Sequence, residues 1–227
     1  MQFSIPLLAC LFFLSVPLRA DCEFSDSSWQ QVKSKQQVEL YRRKTDSAVN
    51  DVMAKTIISS DLSAFILLLR DTEQGPNWIA NATQITLLER PQSNQDLVHS
   101  VFNAPWPVHD RDLVTLSHYE QDPDTLVLTL TVEDASDALP GILGIVRLQG
   151  VWARWTLTPL PAGQLAICYQ GSADAAGNVP HWLANRMLLE GTFKTFVALR
   201  KILVTPAYQN KPLRDIREPS EKIPTDT

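Results

Sequence analysis

The sequence predicts a single α+β domain in which a curved antiparallel sheet wraps around a long C-terminal helix. Three observations carry this. In the central third, Leu126, Leu128, Leu130 and Val132 alternate with Thr129, Thr131 and Glu133, the period of a half-buried antiparallel strand. Turn-forming stretches such as Asp122-Pro123-Asp124 and Pro159-Leu160-Pro161-Ala162-Gly163 divide such runs into pairs. From about Pro180 to Val204 the period changes to that of an amphipathic helix. A sheet curved around one helix leaves a space between them; periodicity does not set whether side chains fill it.

In chain order, Ser25 to Lys35 is predicted as a short helix with Ser25 or Asp26 as N-cap. Val38 to Arg43 and Val52 to Ser59 are strands. Asp61 caps an apolar helix, Leu62 to Arg70, and after the Gly75-Pro76 break Trp78 begins a second short helical stretch. Thr83 to Arg90 and Asp96 to Asn103 pair around Pro91-Gln92-Ser93-Asn94, Arg111 to Gln121 pairs with Thr125 to Glu133, and Val151 to Thr158 with Gln164 to Ser172. On the closing helix Ala184, Leu188, Thr192, Thr195, Leu199 and Ile202 share one side, flanked by Leu189, Phe196 and Leu203. Arg186, Glu190, Lys194 and Lys201 take the opposite side, with i,i+4 pairs among them. Residues 206–227 are polar and hold Pro206, Pro212, Pro219 and Pro224, which predicts a disordered tail.

The 227 residues suffice for one domain with a real core. Hydrophobic residues at 44% against 20% charged place it among globular chains. A net charge of −5 excludes a general nucleic-acid binder and adhesion to anionic membranes by bulk charge. Ile5 to Leu18 is apolar except for Ser15, and Leu18-Arg19-Ala20 ends in a small residue. This reads as a signal peptide over 1–20, short of the ~20 apolar residues of a spanning helix. The alternatives are an N-terminal anchor, or a lipidation box at Leu7-Leu8-Ala9-Cys10. Export to the periplasm or outside the cell is the expectation. Cys22 and Cys168 would then remain, either as one disulfide or as two free thiols. The cysteines and histidines lack metal-ligand spacing, so neither a metal nor a cofactor is expected. Asn81-Ala82-Thr83 is a glycosylation sequon only in a secreting eukaryote.

Four stretches in order resemble the START (steroidogenic-acute-regulatory-protein-related lipid-transfer) family. They are Pro105-Trp106-Pro107-Val108-His109-Asp110-Arg111-Asp112; Val146-Arg147 with Trp155-Thr156-Leu157-Thr158-Pro159; Tyr169 with Ala176-Gly177-Asn178-Val179-Pro180; and Trp182-Leu183-Ala184-Asn185 continuing to Leu199-Arg200. Trp78 also fits, and the resemblance spans most of the domain at 21–205. It implies a helix-grip fold with an internal cavity, a lipid or other hydrophobic small molecule as partner, binding without catalysis, and transfer or sensing of that ligand. It also implies a gate made by the final helix and the loop of about Ala135 to Val146. Carried over by strand and helix parity, the ligand-binding residues expected are Thr115, Ser117, Leu128, Leu130, Leu188, Thr192, Thr195 and Leu199. Leu139, Ile142 and Leu143 of the apolar loop would cover the mouth or make transient membrane contact. A monomer is expected. Some sterol-carrying relatives place an arginine six residues after the motif arginine. Ser117 stands there, with no other permanent cation expected nearby, and Arg111-Asp112 is read as architectural.

The competing reading is a cavity enzyme of the polyketide cyclase/aromatase type. His99 is the histidine that could approach the cavity as a base, whereas His109 lies in a Pro-rich loop and His118 should face outward. A protein-interaction module with a filled core is a third reading.

Overall fold

In the computed structural model the described residues are 28–173, 177 and 179–219. The expectations for the signal peptide, for the cap at Ser25 or Asp26 and for Cys22 lie outside them, as do Ala176, Asn178 and residues 220–227.

Among the described residues ten strands form one sheet: β1 (Gln30–Lys35), β2 (Val38–Arg43), β3 (Asp51–Ser59), β4 (Ala82–Glu89), β5 (Gln95–Phe102), β6 (Arg111–Gln121), β7 (Leu128–Asp134), β8 (Val146–Arg147), β9 (Trp152–Leu160) and β10 (Gln164–Ser172). Their order is β1-β2-β3-β10-β9-β7-β6-β5-β4, antiparallel along that path, and β8 pairs with β6 in parallel. Among the described residues three α-helices complete it: α1 (Leu62–Arg70), α2 (Gly75–Trp78) and α3 (His181–Ile202). This is the expected α+β helix-grip architecture, a curved sheet holding the C-terminal helix. Register shifts within β4–β5 supply bulges, and bulges bend strands.

Most elements fall within a few residues of expectation. The exception is the segment before Lys35, which is strand β1 rather than a helix. Gln36 and Gln37 both have positive φ, so they make the two-residue turn whose twist suits a hairpin. Nothing in a Gln-Gln pair signals that turn, and the segment before it, polar apart from Trp29 and Val32, has no strand alternation. The second short helix ends at Trp78 instead of beginning there.

α1 starts as predicted, with the Asp61 carboxylate accepting from the Ala64 amide at 2.6 Å. Two further amides of its first turn are met from the far end of the chain. Glu218 accepts from the Leu62 and Ser63 amides at 3.1 and 2.7 Å, and from the Ser63 hydroxyl at 2.7 Å. Tyr208 and Ile216 are buried, and the Tyr208 hydroxyl donates to Asp71 at 2.9 Å. The disordered tail expected over 206–227 is therefore packed across 206–219, because its few apolar and acidic residues find the base of α1. Glu218→Ala should cost about 1–2 kcal/mol in denaturant unfolding.

α3 leans on β2, β3 and α2. Phe193, Phe196, Leu199 and Leu203 are buried there with Val52, Ala54 and Ile58. The helix thus covers one half of the sheet closely and stands off the other. On the outer face of the sheet, Trp29, Tyr41, Met53 and Cys168 form a small separate cluster. Cys168 is disulfide-bonded, and neither of the other two cysteines lies within the described residues.

Candidate functional site

Strand register builds the site. Inward-facing residues lie opposite one another in rungs that cross the sheet. One rung carries Tyr119, Leu130, Trp155 and Tyr169, and its large side chains form a floor. The next carries Ser117, Val132, Ala153 and Gly171, which are much smaller. Above them α3 presents Ala184, Gly191, Thr192 and Thr195, with Met187 and Leu188 beside them. Small residues face small residues across the gap, so the volume is not filled. The result is a cavity of about 410 Å³, within the size range of small-molecule sites. α2, β4 and β5 close its side through Trp78, Ile79, Ile85, Leu87 and Val98.

The floor is aromatic. Trp155 stacks on Phe196 of α3 with centroids 5.5 Å apart and planes 3° from parallel. It also meets Phe65 at 5.3 Å and Tyr169 at 4.7 Å, both tilted. Such contacts add to area burial and hold the rings in fixed positions. Burial pushes the Tyr169 phenol up to about 12.

At one end the wall turns charged. Arg70 and Arg90 both point to Asp96, at 3.4 and 2.5 Å. Arg70 also bonds the Ser93 carbonyl and reaches the Tyr119 hydroxyl at 3.3 Å. Tyr119 in turn donates to Asp215 of the C-terminal segment. Its phenol is pushed up to about 12, by burial first and then by the Asp215 hydrogen bond. Arg111 lines the cavity and bonds the His109 carbonyl. Burial lowers its pKa, against the opposing pull of Asp110.

Six of the residues expected at the ligand site line this cavity: Thr115, Ser117, Leu130, Leu188, Thr192 and Thr195. Leu128 and Leu199 do not. Both are fully buried in the core, because the open space ends near Phe196 and the next helical turn closes onto the sheet. Leu139, Ile142 and Leu143 are also absent from the wall. Ile142 and Leu143 are exposed, Leu143 completely, and Leu139 is half-buried.

Two sequence expectations about charge need correction. Arg111 shares the inward face of β6 with Leu113, Thr115 and Ser117, so it is a wall residue rather than purely architectural. Arg70 and Arg90 supply further permanent cations, brought from outside β6 by the ends of α1 and β4. Spacing along β6 carries no trace of them, because the contacts are long-range.

Asp112 does have an architectural role on the opposite face. It is fully buried and takes two hydrogen bonds from Arg147, at 2.9 and 2.8 Å, and one contact from His99 Nε2 at 2.9 Å. Burial alone would raise its pKa. The hydrogen bonds and charges of Arg147 and His99 outweigh that and lower it. Arg147 then donates to the Ser136, Leu139 and Pro140 carbonyls at 2.8, 2.8 and 3.3 Å. One guanidinium therefore joins β6, β8 and the apolar loop. His99 does not approach the cavity: Val98 and Ser100 face inward, so the residue between them faces out.

The START domain family profile matches residues 20–207. The chain belongs to the START domain family. Members of this family bind lipids and other hydrophobic ligands. A START-related lipid transfer protein fragment from Xanthomonas axonopodis superposes with a TM-score of 0.73 at 28% identity, covering 78% of this chain and 99% of that one. Human STARD10 superposes at 0.71 with 16% identity over 80% of this chain and 75% of its own, a likeness of fold. An uncharacterised protein of Pseudomonas aeruginosa is 25% identical over 173 residues, 76% of this chain and 85% of that protein. Mouse START domain-containing protein 10 is 23% identical over 180 residues, 58% of its length. The profile of the START domain stops at Thr205-Pro206-Ala207, so the packed segment around Ile216 and Glu218 lies beyond it.

Proposed function

We propose that this START domain takes up a lipid or similar hydrophobic molecule in the cavity under α3, and carries or senses it without chemical change, as a monomer. The cavity itself supports this reading: a space of about 410 Å³ walled largely by apolar side chains. Each methylene moved into such a space contributes ~0.8 kcal/mol, so ten contribute ~8 kcal/mol before ordering costs. None of the four histidines lines the wall, which leaves the cyclase reading without an imidazole base there. Native mass spectrometry after detergent-free purification tests the proposal. A co-purified lipid is expected; protein that carries none and takes up no apolar dye would overturn it.

Several exposed apolar residues gather at one end of the sheet. Trp106 is 93% exposed, Trp182 67% and Leu143 103%, with Ile142 and Trp152 also open to solvent. They lie where β5 hands over to β6, in the loop before β8, and at the start of β9 and α3. Exposed tryptophans beside aliphatic residues suit the lipid–water interface, and the net charge of −5 favours a zwitterionic surface over an anionic one. We infer that this rim touches membranes during exchange. The triple variant Trp106→Ala, Leu143→Asp, Trp182→Ala should slow ligand transfer between zwitterionic vesicles by about tenfold or more while leaving dye uptake in solution unchanged. An unchanged transfer rate would remove the rim from the mechanism.

Export belongs to the same proposal. The apolar run from Ile5 to Leu18, a family match starting at residue 20 and a disulfide at Cys168 all support it. Cys22 is the proposed partner of Cys168. Intact-mass analysis of the mature protein should give a chain starting at Asp21, with no free thiol.

A further inference from the structure

The polar groups of the cavity narrow the class of guest, given the binding reading above. Tyr169 lines the wall with its ring tilted against both Trp155 and Phe196, at 4.7 and 6.2 Å. A Cβ on residue 171 would lie 2.5 Å from the Tyr169 hydroxyl oxygen. Glycine at that position is therefore what makes room for the hydroxyl. Among the described residues nothing hydrogen-bonds to that hydroxyl. Trp78, in the same wall, is 4% exposed, and its indole N–H is buried with no acceptor. A buried donor without an acceptor is costly. The Tyr169 hydroxyl differs in that it opens onto the cavity, where a guest with lone pairs would satisfy it.

The charges in the wall point the same way. Arg70 and Arg90 share Asp96, and Tyr119 links Arg70 onward to Asp215. Arg111 has Asp110 beside it, and Asp71 already receives the Tyr208 hydroxyl. Three arginines and two aspartates line the cavity, and Asp110 beside the third arginine completes the balance. A carboxylate or phosphate brought inside would meet no uncompensated cation, and burying an unpaired charge is prohibitive.

We propose that the cavity selects an uncharged lipid bearing a hydroxyl or carbonyl group, which accepts a hydrogen bond from the Tyr169 hydroxyl. The phenol suits that role: burial holds its pKa at about 12, so it stays protonated at any physiological pH.

The test uses the full mature chain with Nile red, an uncharged dye, in the cavity. Dodecanol, dodecanoate and dodecane compete for it at about pH 8, where the carboxylate is ionised, with each result normalised to octanol–water partition. Dodecanol should displace the dye about tenfold more effectively than dodecanoate. Tyr169→Phe, whose melting curve checks the fold, should weaken dodecanol about 5–10-fold and leave dodecane unchanged. Dodecanoate competing as well as dodecanol would overturn the selection. Dodecanol binding unaltered in Tyr169→Phe would overturn the role of the phenol. Failure of the dye and of all three guests to bind is a different result, and it would sink the cavity reading itself.

Discussion

Gly191→Phe should abolish uptake of apolar guests while leaving the melting temperature equal to or above that of the parent. Gly191 sits in the middle of α3 and lines the cavity, and a Cβ built there meets nothing within 4 Å. A glycine inside a helix costs about 1 kcal/mol relative to alanine. Gly191→Ala should therefore raise stability by roughly that amount, or a few degrees in Tm for a domain of this size. The phenylalanine ring goes further, because it occupies the space a guest would take and supplies the dispersion contacts that the empty wall lacks. Most substitutions that fill a protein interior strain it; this one should not, and the contrast is the signature of a genuine void. A melting curve and a dye titration check both halves. Uptake retained in Gly191→Phe would mean that ligands bind elsewhere.

Asp112→Ala should have the opposite character, a severe loss of stability at a site no ligand touches. The carboxylate is fully buried and is the shared acceptor for Arg147 and His99. Removing it strands a buried guanidinium, a change that typically costs about 3–5 kcal/mol. Denaturant unfolding should show a much lower midpoint, and loss of β8 pairing should expose the segment from Ser136 to Arg147 to protease. The parent protein should show the same dependence on acidification. The native pKa of Asp112 is lowered, so its contribution is fully present above the unfolded value of about 4 and is lost as the pH falls through the lowered native one. A midpoint within about 0.5 kcal/mol of the parent's would show the cluster to be dispensable.

Much of this was legible in the sequence because period and parity are local properties. The strands from Thr83 to Ser172 and the helix near 180–204 follow from alternation and from the 100° repeat. The inward positions on β6, Thr115 and Ser117, follow from the family resemblance carried over by strand parity. What sequence missed depended on distance or on length. Leu128 and Leu199 share a face with true wall residues, and only the extent of the void separates them. Arg70 and Arg90 reach the wall from other elements. The Gln36-Gln37 turn uses residues with no turn preference, which left β1 without a signal. The packing of Tyr208, Ile216 and Glu218 under α1 could not be seen in a segment whose composition is that of a linker.

The hold of Arg147 on the Ser136, Leu139 and Pro140 carbonyls has a mechanical corollary. It anchors the base of the neighbouring loop and stops short of Gly141, Ile142, Leu143 and Gly144. A Cβ at either glycine would meet nothing, and Gly144 has a φ of +84°. Swinging this greasy fingertip needs only a handful of backbone torsions and breaks no bond of the knuckle beneath it. The fingertip is thus free to move while the 22-residue helix stays seated and the frame stays rigid.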